Sequence, residues 1–162
     1  MRFGVALTSG IFAVLAVALL VQFVPWAGFA WLDEAIFVGY AFTGQVAMAP
    51  VVGMIPLMIL GAAVALLAWR WEMGARRGTA LRRGILTGLG LYLVAVAITN
   101  PFLSMFREHM GDVPASVARM MTSPGWIALV ESLWGHLFFG IVLGLFLTMA
   151  ERWADGGAHG GS

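Results

Sequence analysis

The segment ALVESLWGHLFFGIVLGLFL, Ala128–Leu147, decides the fold of this chain. An α-helix needs about 20 predominantly apolar residues to cross the hydrocarbon core of a bilayer, and this segment supplies them. It also carries a carboxylate, Glu131, and an imidazole, His136. An ionisable group in hydrocarbon is costly and usually faces a partner or a cavity. The segment therefore predicts a membrane helix with one functional face.

The composition agrees with a membrane protein. Of the 162 residues, 61% are hydrophobic and 10% are charged, whereas soluble domains are about 25% charged. The length allows one domain. Cysteine is absent, which excludes disulfides, thiolate zinc sites, iron–sulfur clusters and cysteine nucleophiles.

We predict an all-α fold, an integral membrane four-helix bundle formed by residues 1–154, followed by a disordered tail at 155–162. Four apolar runs are long enough to cross a bilayer. The first run is longer than the apolar region of a signal peptide, about 7–15 residues, and is interpreted as a span. The predicted spans are 4–24, 50–69, 84–103 and 125–150.

The arginines predict the orientation, since cytoplasmic loops are enriched in basic residues. With four spans, both termini and the middle loop share one side. The other side has Arg107 and Arg119. We therefore expect both termini in the cytoplasm and a place in the bacterial cytoplasmic membrane. The basic middle loop is explained by topology and anionic lipid rather than by a nucleic-acid partner. The arginines on the terminal side are Arg2, Arg70, Arg76, Arg77, Arg82, Arg83 and Arg152.

Two segments predict short amphipathic helices on the outer face. The chain from Asp33 to Trp69 is almost continuously helix-forming, with Asp33 as a plausible N-cap. A single helix of that length would be about 55 Å long, nearly twice the hydrocarbon core. We therefore expect residues 33–50 to lie along the interface or to dip into it, with a bend at Pro50. Residues 111–124 predict the second short helix.

The polar residues within the spans are concentrated in the outer half. At 100° per residue, Ser132, Gly135 and Phe139 fall between Glu131 and His136 on the helical wheel, so these five residues form one arc. Pro101 is expected to end or kink the third span. The pattern predicts a pocket in the outer half of the bundle. The outer polar residues are Gln22, Gln45, Thr99, Asn100, Glu131 and His136.

Structural explanations also apply to these residues. Asn, Gln and Thr in membrane helices often form hydrogen bonds between helices. Glu131 could be kept protonated, or could pair with Arg107 or Arg119 from the outer loop. His136 could hydrogen-bond a neighbouring helix.

The order of three motifs resembles the anthrone-oxygenase-like four-helix membrane proteins. The first is LDEAIFVGYAFTGQVAMAP, residues 32–50, with Gln45 and Pro50 entering span two. The second is AITNPF, residues 97–102, at the end of span three. The third is WIALVESLWGHLFFG, residues 126–140, with its internal histidine. An arginine common in the family soon after that histidine is replaced here by Leu137, Phe138 and Phe139.

The resemblance implies a membrane-embedded oxygenase that acts on a hydrophobic aromatic substrate without a tightly bound cofactor. His136 would remove an activated proton from the substrate, and Glu131 would orient the imidazole of His136 or tune its basicity. Asn100 and Gln45 would hydrogen-bond the substrate oxygens. Further candidate substrate-binding residues are Trp134, Ser132, Tyr40 and Gln22.

Two other functions remain open. The chain could be an accessory subunit of a larger photosynthetic or respiratory membrane complex, or a homo-oligomer, with His136 as a ligand of haem or chlorophyll. It could instead be a proton-coupled transporter that uses Glu131 and His136 as a relay, although the inner half lacks a polar path. No metal site is predicted, because two ligands are too few. The lipid bilayer and a hydrophobic small molecule are the expected partners.

Overall fold

In a computed structural model, the described residues, 2–23, 34–74, 79–109 and 126–156, are helical apart from a turn between residues 44 and 48 and the residue before the fourth helix. This arrangement confirms the all-α prediction. The helices are α1 (Arg2–Phe23), α2 (Glu34–Thr43), α3 (Ala49–Gly74), α4 (Ala80–His109) and α5 (Trp126–Gly156).

Four of these helices are long and apolar enough to span a membrane. Their apolar parts coincide with the four predicted spans to within a few residues. The chain is therefore an integral membrane protein built as a helical bundle. The apolar spans are Phe3–Phe23, Ala49–Arg70, Ala80–Ile98 and Leu129–Met149.

The bundle is not symmetric. α1 packs against both α3 and α5, whereas α4 packs chiefly against α5 and touches α3 little. Glycines bring α4 and α5 together. A Cβ placed on Gly84 would lie 2.7 Å from the Cα of Gly144, and one placed on Gly88 would lie 3.2 Å from the Cα of Gly140. Two helices can approach this closely only where small residues face each other, so the two glycine pairs fix α4 on α5.

One half of the bundle is solidly packed. Residues from all four long helices meet there, and most of them are small, so little space remains between the helices. We call this region the closed half. Its core consists of Ala13, Val64, Ala65, Ala68, Ala80, Phe139, Leu143 and Leu147. The other half, which contains the C-terminal part of α1 and the N-terminal parts of α3 and α5, is called the open half.

α2 folds back along the first turns of α3. Ala35 lies against Gly53, and Gly39 lies against Ala49, so the two helices are antiparallel. The prediction of a nearly continuous helix with a bend at Pro50 is therefore wrong. The chain turns before Pro50, at residues 44–48, and Pro50 lies in the first turn of α3. α2 is apolar over most of its surface, since Glu34 is its one charged residue.

The physical reason for the turn is a helix end at Gly44. Its φ is +63°, a conformation that suits glycine, and its N–H donates to the carbonyl of Tyr40 at 2.8 Å. This is the usual left-handed termination of an α-helix. The Thr43 hydroxyl supports it by donating to the Gly39 carbonyl at 2.8 Å and accepting from the Gln45 N–H at 3.1 Å.

Two further expectations concern the ends of the spans. Pro101 does not end the third span, because α4 continues through it to His109. The predicted second short helix at 111–124, the Asp33 cap and the tail from 157 onwards lie outside the described residues.

Candidate functional site

A cavity of about 340 Å³ lies in the open half, between α1, α3 and α5, with the start of α2 at its edge. It exists because α1 packs against both α3 and α5 while those two helices are held apart. Its volume falls in the lower part of the range of small-molecule pockets, about 300–1,000 Å³. The described lining residues are Val14, Leu15, Val17, Ala18, Leu19, Val21, Gln22, Glu34, Ala35, Pro50, Met54, Leu57, Leu60, Gly61, Glu131, Ser132, Gly135, His136 and Phe139.

The α5 wall of the cavity is the predicted arc. All five residues of that arc line the cavity, and they are the described α5 residues that do so: Glu131, Ser132, Gly135, His136 and Phe139. Gly135 is buried, so its small size leaves room beside the two ionisable side chains. These five residues therefore share one face of α5, as helical periodicity predicts.

The cavity is polar at one end and apolar at the other. Its described polar side chains are those of Gln22, Glu34, Glu131, Ser132 and His136, which lie towards the open end of the bundle. Its deeper part is lined by aliphatic side chains and by Phe139, which belongs to the closed core. The cavity therefore suits a molecule with one polar end and an apolar body.

Two exposed leucines border the cavity. Leu19 on α1 is 63% exposed, and Leu60 on α3 is 55% exposed. Both belong to membrane spans, so their exposed surfaces face lipid. The cavity thus borders the bilayer directly, and an apolar ligand can reach it without crossing water.

His136 is held in one orientation by its own helix. Its Nδ1 lies 2.8 Å from the carbonyl oxygen of Ser132, one turn earlier, and 3.4 Å from the Ser132 hydroxyl. A carbonyl only accepts hydrogen bonds, so Nδ1 carries the proton and donates it to that bond. In the neutral imidazole, Nε2 is then the basic nitrogen. No described residue forms a hydrogen bond with Nε2.

α4 supports the other side of the imidazole. The ring of Tyr92 meets the His136 ring edge-on, with centroids 6.2 Å apart and planes inclined by 63°. The backbone carbonyl of His136 lies against Gly88, which brings α4 close at this level. α4 contributes none of the described lining residues, so its role in the site is to support His136 from behind.

Glu131 and Glu34 bring two carboxylates to the same cavity from different helices. Within the described part of the chain, Glu131 has no hydrogen bond or ion pair. Arg107 and Arg119, the partners considered for it, fall outside the described side chains. Sequence reasoning missed Glu34, because the hairpin between α2 and α3 places it beside the cavity. An acidic residue at the start of an otherwise apolar ten-residue helix was the available signal.

The structure brings together four of the predicted site residues: Glu131, His136, Ser132 and Gln22.

Three other candidates lie away from the lining. Trp134 is 61% exposed and belongs to the lipid-facing surface. Tyr40 and Gln45 are at the far end of α2 and in the turn that follows it. Asn100 lies on α4 by its backbone, and its side chain is outside the described residues.

Among the residues described, no three His, Asp or Glu side chains are grouped as metal ligands. His136 is the one described lining residue with an imidazole, and Met54 is the one with a thioether, so these two side chains are the described candidates for axial ligands of a haem.

No family model, curated protein or solved structure matches this chain. The fold defines its class as an integral membrane helical bundle.

Proposed function

We propose that this protein is a membrane-embedded enzyme that takes a hydrophobic aromatic substrate from the bilayer into the cavity of the open half. His136 acts there as the general base, and the deprotonated substrate reacts with dioxygen. The observation that carries the proposal is the fixed imidazole, whose Nδ1 is hydrogen-bonded to the Ser132 carbonyl while Nε2 is left to accept a proton. General bases are effective when they are held within hydrogen-bond reach of the proton they remove.

The proposed reaction converts a benzylic CH₂ of an anthrone-like ring into a carbonyl. Nε2 of His136 takes one proton, and the electron pair of the broken C–H bond is delocalised over the rings. The carbanion adds dioxygen to give a peroxide. Loss of the second proton with cleavage of the O–O bond yields the ketone and water, so that CH₂ and O₂ become C=O and H₂O. The carbon is oxidised and dioxygen is reduced, without a resident cofactor.

Two acid–base groups suit this sequence of steps. His136 accepts the first proton and, as the imidazolium, can return it to the departing oxygen, while the carboxylate of Glu131, at the other edge of the same arc, is placed to stabilise that imidazolium. Glu131 is not hydrogen-bonded to His136, so we assign the positioning of the imidazole to the Ser132 carbonyl instead. Gln22 and Ser132 are the described neutral groups placed to hydrogen-bond substrate oxygens.

We also propose that the open half faces the outer side of a bacterial cytoplasmic membrane, with both termini in the cytoplasm. The distribution of arginine supports this orientation. The packed closed half supports an enzyme over a transporter, because no polar residue of the closed half is among the described lining residues of the cavity. Substrate would then enter from the lipid beside Leu19 and Leu60.

Oxygen uptake by the purified protein with anthrone as substrate tests the proposal. The His136→Gln variant is expected to lose at least about a hundredfold in turnover, since general-base catalysis contributes about 10²–10⁴. His159→Gln is the matched control, because it makes the same substitution in the glycine-rich C-terminal segment, and it should retain wild-type turnover. Undiminished turnover in the His136→Gln protein would refute the assigned base.

The absorbance spectrum of gently purified protein tests the rival function. A colourless protein that purifies without partners agrees with an enzyme that has no resident cofactor. Visible bands lost in His136→Gln, or other chains in fixed stoichiometry, would instead identify an accessory subunit that contacts a pigment or haem.

A further inference from the structure

We infer that the cavity selects its ligand by the charge of the head group. The cavity accepts a head group that is cationic, or that is neutral and can donate a hydrogen bond. It excludes an anionic head group. The inference rests on the proposed function in taking the cavity as the substrate site. The inference specifies which hydrophobic aromatic compounds can be substrates: those with hydroxyl or amine groups, and not those with carboxylates.

The two carboxylates of the cavity come from different helices. Glu34 is the first residue of α2, which is held against α3, and Glu131 lies on α5. α3 and α5 form separate walls of the cavity, so the two carboxylates approach it from different sides. Both lie at its polar end.

The second step concerns the charges of the described lining residues. None of the described lining residues is an arginine, and His136 is the one described lining residue with a titratable nitrogen. An ionised carboxylate only accepts hydrogen bonds, so alcohol, phenol and ammonium heads match it. An anionic head would place like charges together beside a low-dielectric membrane, where repulsion is weakly screened.

The third step is the orientation of the ligand. The deep end of the cavity is formed by Val14, Leu57, Gly61 and Phe139, which offer no described polar side chain to a buried head group. The head must therefore lie at the end where Glu34, Glu131 and Gln22 are found. With the ligand in this orientation, the body of an aromatic ligand lies alongside His136.

The experiment compares three anthracenes that differ in the head alone: anthracene-9-methanol, 9-(aminomethyl)anthracene and anthracene-9-carboxylate. Binding is measured at neutral pH on the full-length protein in uncharged phospholipid nanodiscs, by energy transfer from tryptophan to anthracene. Empty nanodiscs correct for partition into lipid. The alcohol and the amine are expected to bind saturably, and the carboxylate at least about tenfold more weakly.

The Glu34→Gln/Glu131→Gln double variant should reduce discrimination against the carboxylate, measured as the ratio of its dissociation constant to that of the alcohol, to within about threefold. Glu151→Gln, the same substitution at the opposite end of α5, is the matched control and should keep wild-type selectivity. Glu34→Gln alone alters an exposed residue, and should show intermediate selectivity even if the double variant does not fold.

Equal binding of the carboxylate and the alcohol to the wild-type protein would overturn the inference. So would selectivity that is unchanged in the double variant. These outcomes are distinct from a failure of the proposed function. Selective binding without oxygen uptake would refute the oxygenase function and support the charge selectivity. Oxygen uptake without selective binding would support the oxygenase function and refute the charge selectivity.

Discussion

The closed and open halves of the bundle are built from the same helices and differ in how those helices meet. In the closed half, alanines and glycines let the backbones approach, and Ala13, Ala65 and Leu143 have no exposed surface. In the open half, α1 holds α3 and α5 apart, and a cavity remains. Close packing of small residues stabilises helix association in lipid, so the closed half supplies stability and leaves the open half free to bind a ligand.

The polar groups of the two halves differ in the same way. Ser9 is buried in the closed half, and its hydroxyl donates to the Val5 carbonyl at 2.7 Å. Thr8 and Thr148 likewise donate to carbonyls one turn earlier on their own helices. In the open half, Glu131 has no described partner, and Nε2 of His136 accepts no described hydrogen bond. Unused hydrogen-bonding capacity therefore distinguishes the candidate site from polar residues that serve the fold.

The largest difference in stability is expected between two alanine-to-phenylalanine substitutions on α1, one in each half of the bundle. Ala13→Phe inserts a ring into a site with no free space, and should destabilise the bundle by about 3 kcal/mol or more, the upper end of overpacking effects. Ala18→Phe, further along α1, inserts the ring into the cavity and should change stability by less than about 1 kcal/mol. Unfolding of both variants by detergent titration, followed by circular dichroism, measures the difference. Equal destabilisation would remove the distinction between the halves.

A smaller effect is expected where α4 meets α5. Gly140→Ala places a Cβ 3.1 Å from the Cα of Gly88 and against the Gly84 backbone, and should cost about 1–3 kcal/mol. Gly90→Ala on α4 has nothing within 4 Å, and should be neutral or stabilising by up to about 1 kcal/mol. Thermal unfolding of the two variants provides the check. A Gly140→Ala protein as stable as Gly90→Ala would show that the two helices are not in close contact.

The smallest expected effect is at the turn between α2 and α3. Gly44→Ala should cost about 1 kcal/mol, because its φ of +63° is unfavourable for a residue with a Cβ. A Cβ at this position would meet no atom within 4 Å, so the cost comes from the backbone conformation and not from a steric clash. Gly44→Asn should recover part of that loss, since asparagine tolerates this conformation better than alanine. The unfolding midpoints of the two variants should therefore fall in the order wild type, Asn, Ala. An Ala variant as stable as the wild type would place the turn elsewhere.

Much of the fold could be predicted because hydropathy and helical periodicity are local properties. The four spans follow from the length of the apolar runs. The α5 wall follows from the 100° spacing between Glu131 and His136. In the sequence, Gly84 and Gly88 on the third span and Gly140 and Gly144 on the fourth have the four-residue spacing of small residues that allows close helix approach, but only the structure shows that the two pairs face each other.

The remaining features depend on tertiary packing. Nothing local shows that α3 and α5 are held apart, or that α4 reaches the site through Tyr92 behind His136 rather than through a described lining residue. Gly44 lies in a stretch with good helix formers on both sides, which hid the turn. That turn carries Glu34 to the cavity and Gln45 away from it. The prediction that the polar residues of the spans are concentrated in the outer half also left out Thr8 and Ser9, whose hydroxyls are satisfied by their own helix.

Counting binding sites shows whether the open half binds a lipid-soluble ligand. Anthracene-9-methanol is titrated into nanodiscs that contain either the wild-type or the Ala18→Phe protein, and saturable energy transfer from tryptophan is measured. A cavity of about 150 Å³ is enough for one benzene ring, so the added phenyl group should occupy much of the space that the ligand needs. We expect one saturable site per wild-type chain and none in a folded Ala18→Phe protein. Equal saturable binding to both proteins, or none to the wild type beyond that of empty nanodiscs, would contradict this expectation.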